Sequence, residues 1–151
     1  MRLYLVQHGE AVTKDIDPNR PLTDKGAADI GRLASWLSRS AASITRILHS
    51  GKLRAEQTAN LLAPLLADGG VVEARSGLSP NDSPRALLDS LGNGDIIVAG
   101  HMPFVSHAVS VALDLSPDRP IVAFKPGSVA VLERDAEDAW RLVAFIRPEH
   151  V

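Results

Sequence analysis

The sequence contains no cysteine, which excludes disulfides, thiolate metal sites and a cysteine nucleophile. It has no apolar run long enough to cross a membrane. Its first residues lack a basic region followed by an apolar stretch and a small-residue cleavage site, so no signal peptide is expected. A cytoplasmic protein with no membrane partner is the expectation. A basic stripe is also missing: 16 Lys and Arg stand against 18 Asp and Glu, mixed along the chain, for a formal charge of -2. Nucleic acid is therefore not expected as a partner. Repeats, low-complexity segments and linkers are absent, and 45% of the residues are apolar. The expectation is one domain over residues 1–151 with a full buried core.

What is present is an alternation of strand and helix signals. Leu3 to Val6 suits a strand buried on both faces. After the polar loop at 13–21, Thr23 reads as the N-cap of a helix to about Ser38, with Ala27, Ile30, Ala34 and Leu37 as its apolar stripe. Residues 46–50 (RILHS) read as a strand. A helix follows from near Lys52, carrying Leu53, Ala59, Leu62 and Leu66, with Pro64 placed to kink or end it. DGG at 68–70 reads as a turn, VVEA as a short strand, and SGLSPNDSP as a loop before a short helix to about Leu91. DIIVAG at 95–100 is a clear buried strand, and Pro103 fits the first turn of a helix reaching about Leu113. IVAF, SVAVLE and WRLVAFI read as strands, the last two joined by a hairpin-like RDAEDA. The expected fold class is α/β: three layers, a mostly parallel sheet with helices on both faces, and a C-terminal antiparallel hairpin.

Three strand-to-helix transitions carry unusual polar residues: Gln7-His8-Gly9, Ser50 to Arg54, and Gly100-His101. Ligands of an open α/β sheet bind outside the carboxyl ends of its strands, so the three segments converge if their strands are neighbours. A neutral imidazole is a good nucleophile near pH 7. Arginine grips phosphate oxygens with paired donors, and helix N-termini near Lys52 and Pro103 favour an anion. The combination suggests phosphoryl transfer through a phosphohistidine.

VQHGEA, RPLTDKG, SGKLRAEQTA and GHMP, in that order, resemble the histidine phosphatase superfamily, in its phosphoglycerate-mutase-like branch. The short length and the early RPLT look most like the phosphohistidine phosphatases of the SixA type. The resemblance covers nearly the whole chain. It implies a phosphoglycerate-mutase-like fold and hydrolysis of a phosphohistidine on a protein, either a phosphotransfer domain of a phosphorelay or a phosphocarrier. By the same resemblance, His8 takes the phosphoryl group, Arg54 holds the phosphate, and His101 bonds the phosphoryl oxygens. Ser50 matches the serine that opens the second motif, although it also suits the cap of the helix that follows. Gly9 allows close backbone approach after the strand. No metal or cofactor is called for, because fixed cationic groups stabilise the charge. A zinc site from His8 and His101 lacks a clear third ligand.

Two departures stand out. Gln7 occupies a position where the family usually has arginine. It keeps amide donors but brings no charge, and losing such a contact costs phosphate binding about 1.5–3 kcal/mol. Arg20 is the candidate replacement, if its loop folds over the pocket. The second departure is an absent acid. Larger relatives carry one to protonate the leaving oxygen; here Asp82, and less favourably Glu73, are the loop-placed candidates. A phosphohistidine leaves as an imidazole that can already be protonated, so it needs no such acid. The alternatives are a small-molecule phosphomonoesterase of the same superfamily and a non-catalytic phosphate-binding module. Glu10 is read as orienting neighbours or solvated, and His49, His107 and His150 as structural.

Overall fold

The computed structural model describes residues 1–40 and 43–151. Ten elements follow in order: β1 (Arg2–Gln7), α1 (Asp24–Leu37), β2 (Ile44–His49), α2 (Leu53–Leu62), β3 (Leu66–Ala74), α3 (Pro84–Leu88), β4 (Asp95–Gly100), α4 (Phe104–Ala112), β5 (Val129–Arg134) and β6 (Trp140–Ile146). The strands form one sheet in the order β3-β2-β4-β1-β5-β6. The first four in that order are mutually parallel, while β5 runs antiparallel to both β1 and β6. The expected α/β class and C-terminal antiparallel pair are both present.

Side chains alternate across a strand, and both faces of this sheet are covered. Leu3, Leu5, Ile96 and Val98 face the side packed by Leu87 and Leu88 of α3 and Phe104, Val105 and Val109 of α4. Tyr4, Val6, Ile47, Ile97 and Ala99 face Ile30, Leu33 and Leu37 of α1 and Ala59 and Leu62 of α2. This double burial is why β1 and β4 read as unbroken apolar runs. The sheet order also sets β4 between β1 and β2, so the carboxyl ends of those three strands lie side by side.

The Thr23 cap forms as expected, its hydroxyl oxygen accepting from the Gly26 N–H at 2.9 Å. Within the α1 stripe Leu33 is more deeply buried than Ala27 or Ala34. Three expectations change. The α2 helix stops at Leu62, Pro64 sits in a separate 3-10 turn (Ala63–Leu65), and Leu66 opens β3 instead of extending the helix. Proline has no N–H to continue the ladder. Asp68 to Gly70 is a bulge inside β3, not a turn before it. Pairing advances two residues on β2, from Ile44 to Arg46, and five on β3, from Leu66 to Val71. Gly69, at φ +79, takes up the excess. IVAF at 121–124, between Pro120 and the Pro126-Gly127 turn, is irregular and joins no strand of the sheet.

α1 crosses the chain after β1 at very close range. A Cβ on Gly26 would lie 2.1 Å from the Glu10 carbonyl oxygen and 2.7 Å from the Glu10 nitrogen, both backbone atoms that cannot step aside. Gly26→Ala is therefore expected to cost at least about 3 kcal/mol, the upper range of overpacking. Gly31, in the same helix, has nothing within 4 Å of its would-be Cβ. Gly31→Ala should instead stabilise by about 0.5–1 kcal/mol through helix propensity. Urea unfolding of the pair checks the opposite signs.

Candidate active site

His8 follows β1 directly, and its backbone is held on two sides. Its N–H donates to the Gly100 carbonyl at 3.0 Å, continuing the β1–β4 ladder. The Gly127 N–H donates to the carbonyls of Gln7 and His8 at 3.0 and 3.1 Å. The ring is oriented by two contacts that also assign its tautomer. Nδ1 lies 2.7 Å from the Gly9 carbonyl oxygen, which can accept but not donate, so Nδ1 carries the proton. The Arg54 Nε–H donates to Nε2 at 3.2 Å, so Nε2 presents a lone pair. Together they define a neutral imidazole with its unprotonated nitrogen turned toward a guanidinium.

The second histidine stands beside the first, with ring centroids 5.1 Å apart and planes tilted by 59°. His101 Nε2 is 2.6 Å from Ser50 Oγ, which ties the end of β4 to the end of β2. His101 Nδ1 and Gln7 Oε1 are buried with no hydrogen-bond partner. Both belong to adjacent strand ends, since Gln7 pairs in register with Gly100. Buried polar atoms are ordinarily satisfied, so orphans concentrated here mark a polar site shaped for something besides its own fold.

Burial is the main influence on both rings. It pushes His8 down to about 4, opposed by the Gly9 carbonyl and reinforced by the charges of Arg54, Arg20 and Lys52. It pushes His101 down to about 3, with His8, Arg54, Lys52 and Arg20 adding to it. Arg54 is itself held below its ordinary value by burial and then by the Arg20 charge. Among the described residues, none of Arg20, Lys52 and Arg54 has an ion-pair partner. The fields of three unpaired cations meet at two neutral histidines, so the local potential favours an anion.

These depressed values carry a stability prediction. Unfolded imidazoles titrate near 6.5, whereas the folded protein keeps both neutral far below that pH. Above about pH 7 the two rings contribute nothing to pH dependence. As pH falls from 6.5 toward 4, the unfolded chain takes up protons that the fold refuses, and stability should drop by up to roughly 2.7 kcal/mol per pH unit. Urea unfolding at pH 7, 6 and 5 measures the slope. His8→Ala should reduce it by about half, and an equally steep slope in that variant would assign the acid sensitivity to other groups.

The structure brings His8, Arg54, His101 and Ser50 into contact through the three neighbouring strand ends. Arg20 joins them electrostatically. Its loop is closed by an Ala11–Leu22 bridge and a bond from its Nε to the Val12 carbonyl, and it holds a left-handed φ of +50. Gln7 is buried at the end of β1 beside Gly100, with its Oε1 unpartnered. Gly9 does permit a close approach, but by α1: a Cβ there would meet the Gly26 carbonyl oxygen at 2.9 Å. The two candidate acids are engaged elsewhere. Glu73 pairs with Arg46, and Asp82 accepts from the Ser79 N–H of its own turn. Glu10 accepts from the Thr23 hydroxyl, and His49 Nδ1 accepts from the Gly51 N–H. Among the described residues no group of three histidine or carboxylate side chains is gathered to hold a metal, and no helix is long and apolar enough to cross a membrane.

Two contributors were not singled out from the sequence. In sequence Lys52 marks a helix start; in the fold its charge acts on His8 and His101. Thr58 is fully buried; its hydroxyl donates to the Arg54 carbonyl at 2.7 Å and accepts from the Gly9 N–H at 3.1 Å. It thus joins the residue that orients His8 to the helix that carries Arg54. The available signal was a polar residue on the Ala55-Ala59-Leu62 stripe of α2.

Comparison with known proteins agrees with this geometry. The chain is 29% identical over 142 residues to the phosphohistidine phosphatase SixA of Escherichia coli (strain K12), covering 89% of this chain and 86% of that protein. Its fold superposes on the protein histidine phosphatase SixA complexed with tungstate with a TM-score of 0.83 at 25% identity, covering 98% of this chain and 97% of the other. It also matches a phosphoserine phosphatase from Entamoeba histolytica solved with 3-phosphoglyceric acid, at a TM-score of 0.76 and 16% identity over 99% and 98% of the two chains, which is a likeness of fold. The model of the histidine phosphatase superfamily (branch 1) matches residues 3–79, more than half of the sequence. With that match, and with two histidines and an arginine meeting at adjacent strand ends, the chain belongs to the histidine phosphatase superfamily, branch 1.

Proposed function

We propose that this chain hydrolyses a phosphohistidine displayed on another protein, through a phosphoryl group carried on His8. The lone pair of Nε2 attacks phosphorus in line, the P–N bond to the donor breaks, and the donor imidazole leaves with the proton it already holds. Arg54 exchanges its contact with Nε2 for the phosphoryl oxygens, and His101, Arg20, Lys52 and Gln7 surround the same oxygens. Water then attacks phosphorus, the P–Nε2 bond breaks, and inorganic phosphate departs. The observation that carries this reading is the neutral His8, protonated on Nδ1 by its contact with Gly9 and open at Nε2 toward Arg54. That Glu73 and Asp82 are occupied elsewhere favours a leaving group that needs no enzyme acid. The identity of the SixA relative points to the same substrate class.

The test is label transfer. The protein is mixed with a radiolabelled phosphohistidine-bearing domain, quenched within seconds in alkali, and counted for label on the chain and as free phosphate. Label should pass transiently through the chain, on a bond that survives alkali and is lost in acid. Rapid turnover of sugar phosphates with the label left on the donor would replace this reading with a small-molecule phosphatase.

A further inference from the structure

Gly9 carries the carbonyl that keeps the proton of His8 on Nδ1, yet it has no side chain to fix its own backbone. The β1–β4 ladder does not hold it either, since the last rung is the His8 N–H on the Gly100 carbonyl. The Gly9 N–H donates instead to Thr58 Oγ at 3.1 Å. Thr58 is fully buried on the inner face of α2, one turn after Arg54, and its hydroxyl donates to the Arg54 carbonyl at 2.7 Å. A carbonyl only accepts and an N–H only donates, so the hydroxyl has one orientation here: its proton on Arg54, a lone pair on Gly9. On the other side α1 closes in, with the Gly26 carbonyl oxygen 2.9 Å from where a Gly9 Cβ would stand. Gly9 is thus gripped between two helices. Gly26 supplies a contact and Thr58 a directed bond.

We infer that Thr58 is a positioning residue, whose hydroxyl holds Gly9 so that the His8 ring keeps its proton on Nδ1 and its lone pair on Nε2. It touches no reacting atom and acts through Gly9, in the phosphoryl transfer proposed above, on which this role rests. Valine shows what the hydroxyl does. It has nearly the shape of threonine, but it sets a methyl group against the buried Gly9 N–H. A buried N–H without a partner is costly, so the backbone at Gly9 turns to recover one. That turn draws the Gly9 carbonyl away from Nδ1. The imidazole proton can then occupy Nε2, and a protonated Nε2 has no lone pair to offer phosphorus. The loss therefore falls on the chemical step. Phosphate binding is spared, because Arg20, Lys52 and Arg54 all remain. Serine, which keeps the hydroxyl and drops only the methyl group, retains the lock.

The experiment compares wild type, Thr58→Val and Thr58→Ser at pH 7. Turnover is measured on a domain carrying labelled phosphohistidine, affinity by titration with inorganic phosphate, and the tautomer by ¹⁵N NMR of the His8 ring, assigned with His8→Ala. Thr58→Val should lower kcat by about tenfold to a hundredfold, the scale of a misplaced reacting group, with phosphate affinity unchanged. Its ring spectrum should show a population protonated on Nε2 that the wild type lacks. Thr58→Ser should recover both kcat and the wild-type spectrum. A folded Thr58→Val with either the kcat or the ring spectrum of the wild type would overturn the role. So would a serine variant as slow as the valine one, since the loss would then belong to packing. If Thr58→Val does not fold, Thr58→Ala against Thr58→Ser makes the same comparison, because the two differ only in the hydroxyl; equal kcat in that pair overturns the role. A wild type that takes no label removes the phosphatase reading, and the ring spectra still decide whether Thr58 holds the tautomer.

Discussion

His8→Ala is expected to abolish the labelled intermediate and to lower turnover of a phosphohistidine donor by on the order of 10⁴-fold or more. The size follows from what is removed. In the proposed mechanism His8 supplies the atom that attacks phosphorus, and Gly9 and Arg54 hold its ring in the tautomer whose Nε2 carries no proton. Alanine leaves water to attack directly, in a site built to seat phosphorus beside an imidazole. Phosphate binding should survive, because Arg54, Arg20 and Lys52 are untouched. The variant should also fold, and better than wild type in acid, since it no longer buries an imidazole whose pKa is depressed to about 4. A single-turnover assay with an alkaline quench, run beside a phosphate titration, separates loss of nucleophile from loss of fold. Turnover near wild type would mean that the phosphoryl group never visits His8.

Arg54→Gln should give the second largest effect, a loss of about 10²- to 10³-fold in kcat/KM, or roughly 3–4 kcal/mol of transition-state stabilisation. The guanidinium lies against Nε2 of His8, and among the described residues it has no carboxylate partner. Its charge is therefore available for the equatorial oxygens. Arg54→Lys should recover little of the loss, because an ammonium lacks the paired planar donors. Arg54→Gln should also raise the pKa of His8, since Arg54 is the first of the cations that disfavour the imidazolium. An NMR titration of the His8 ring reads that shift. An unmoved pKa together with normal turnover would show that Arg54 faces solvent and not the reacting group.

Much of this site was legible without coordinates. His8 and His101 each stand where an apolar strand run ends, and Arg54 lies in the first turn of the helix that follows such a run, a local pattern that periodicity and turn chemistry expose. Gly26 is the opposite case. In sequence it is one more glycine in a helix; its backbone contact with Glu10 depends on how α1 crosses the chain leaving β1. Thr58 is intermediate: its place on the buried stripe could be read, but not its bonds to Gly9 and Arg54. The IVAF and DGG segments depart from their local preferences for a related reason. β-branched residues and glycines state a preference, and whether a segment pairs or bulges depends on which strand edge reaches it.

The amino-acid sequence by itself determined the alternation of strands and helices, the double burial of β1 and β4, the Thr23 cap and the identity of the polar residues at three strand ends. Each of these depends on residues within a few positions of one another, where period and capping chemistry act. Tertiary structure alone decided that β4 lies between β1 and β2, which brings those ends together, and that β3 absorbs a bulge. It also decided that burial and the convergent charges of Arg20, Lys52 and Arg54 hold two histidines neutral. The reason is that strand order, desolvation and electric field are set by atoms far apart in the chain, and no local window contains them.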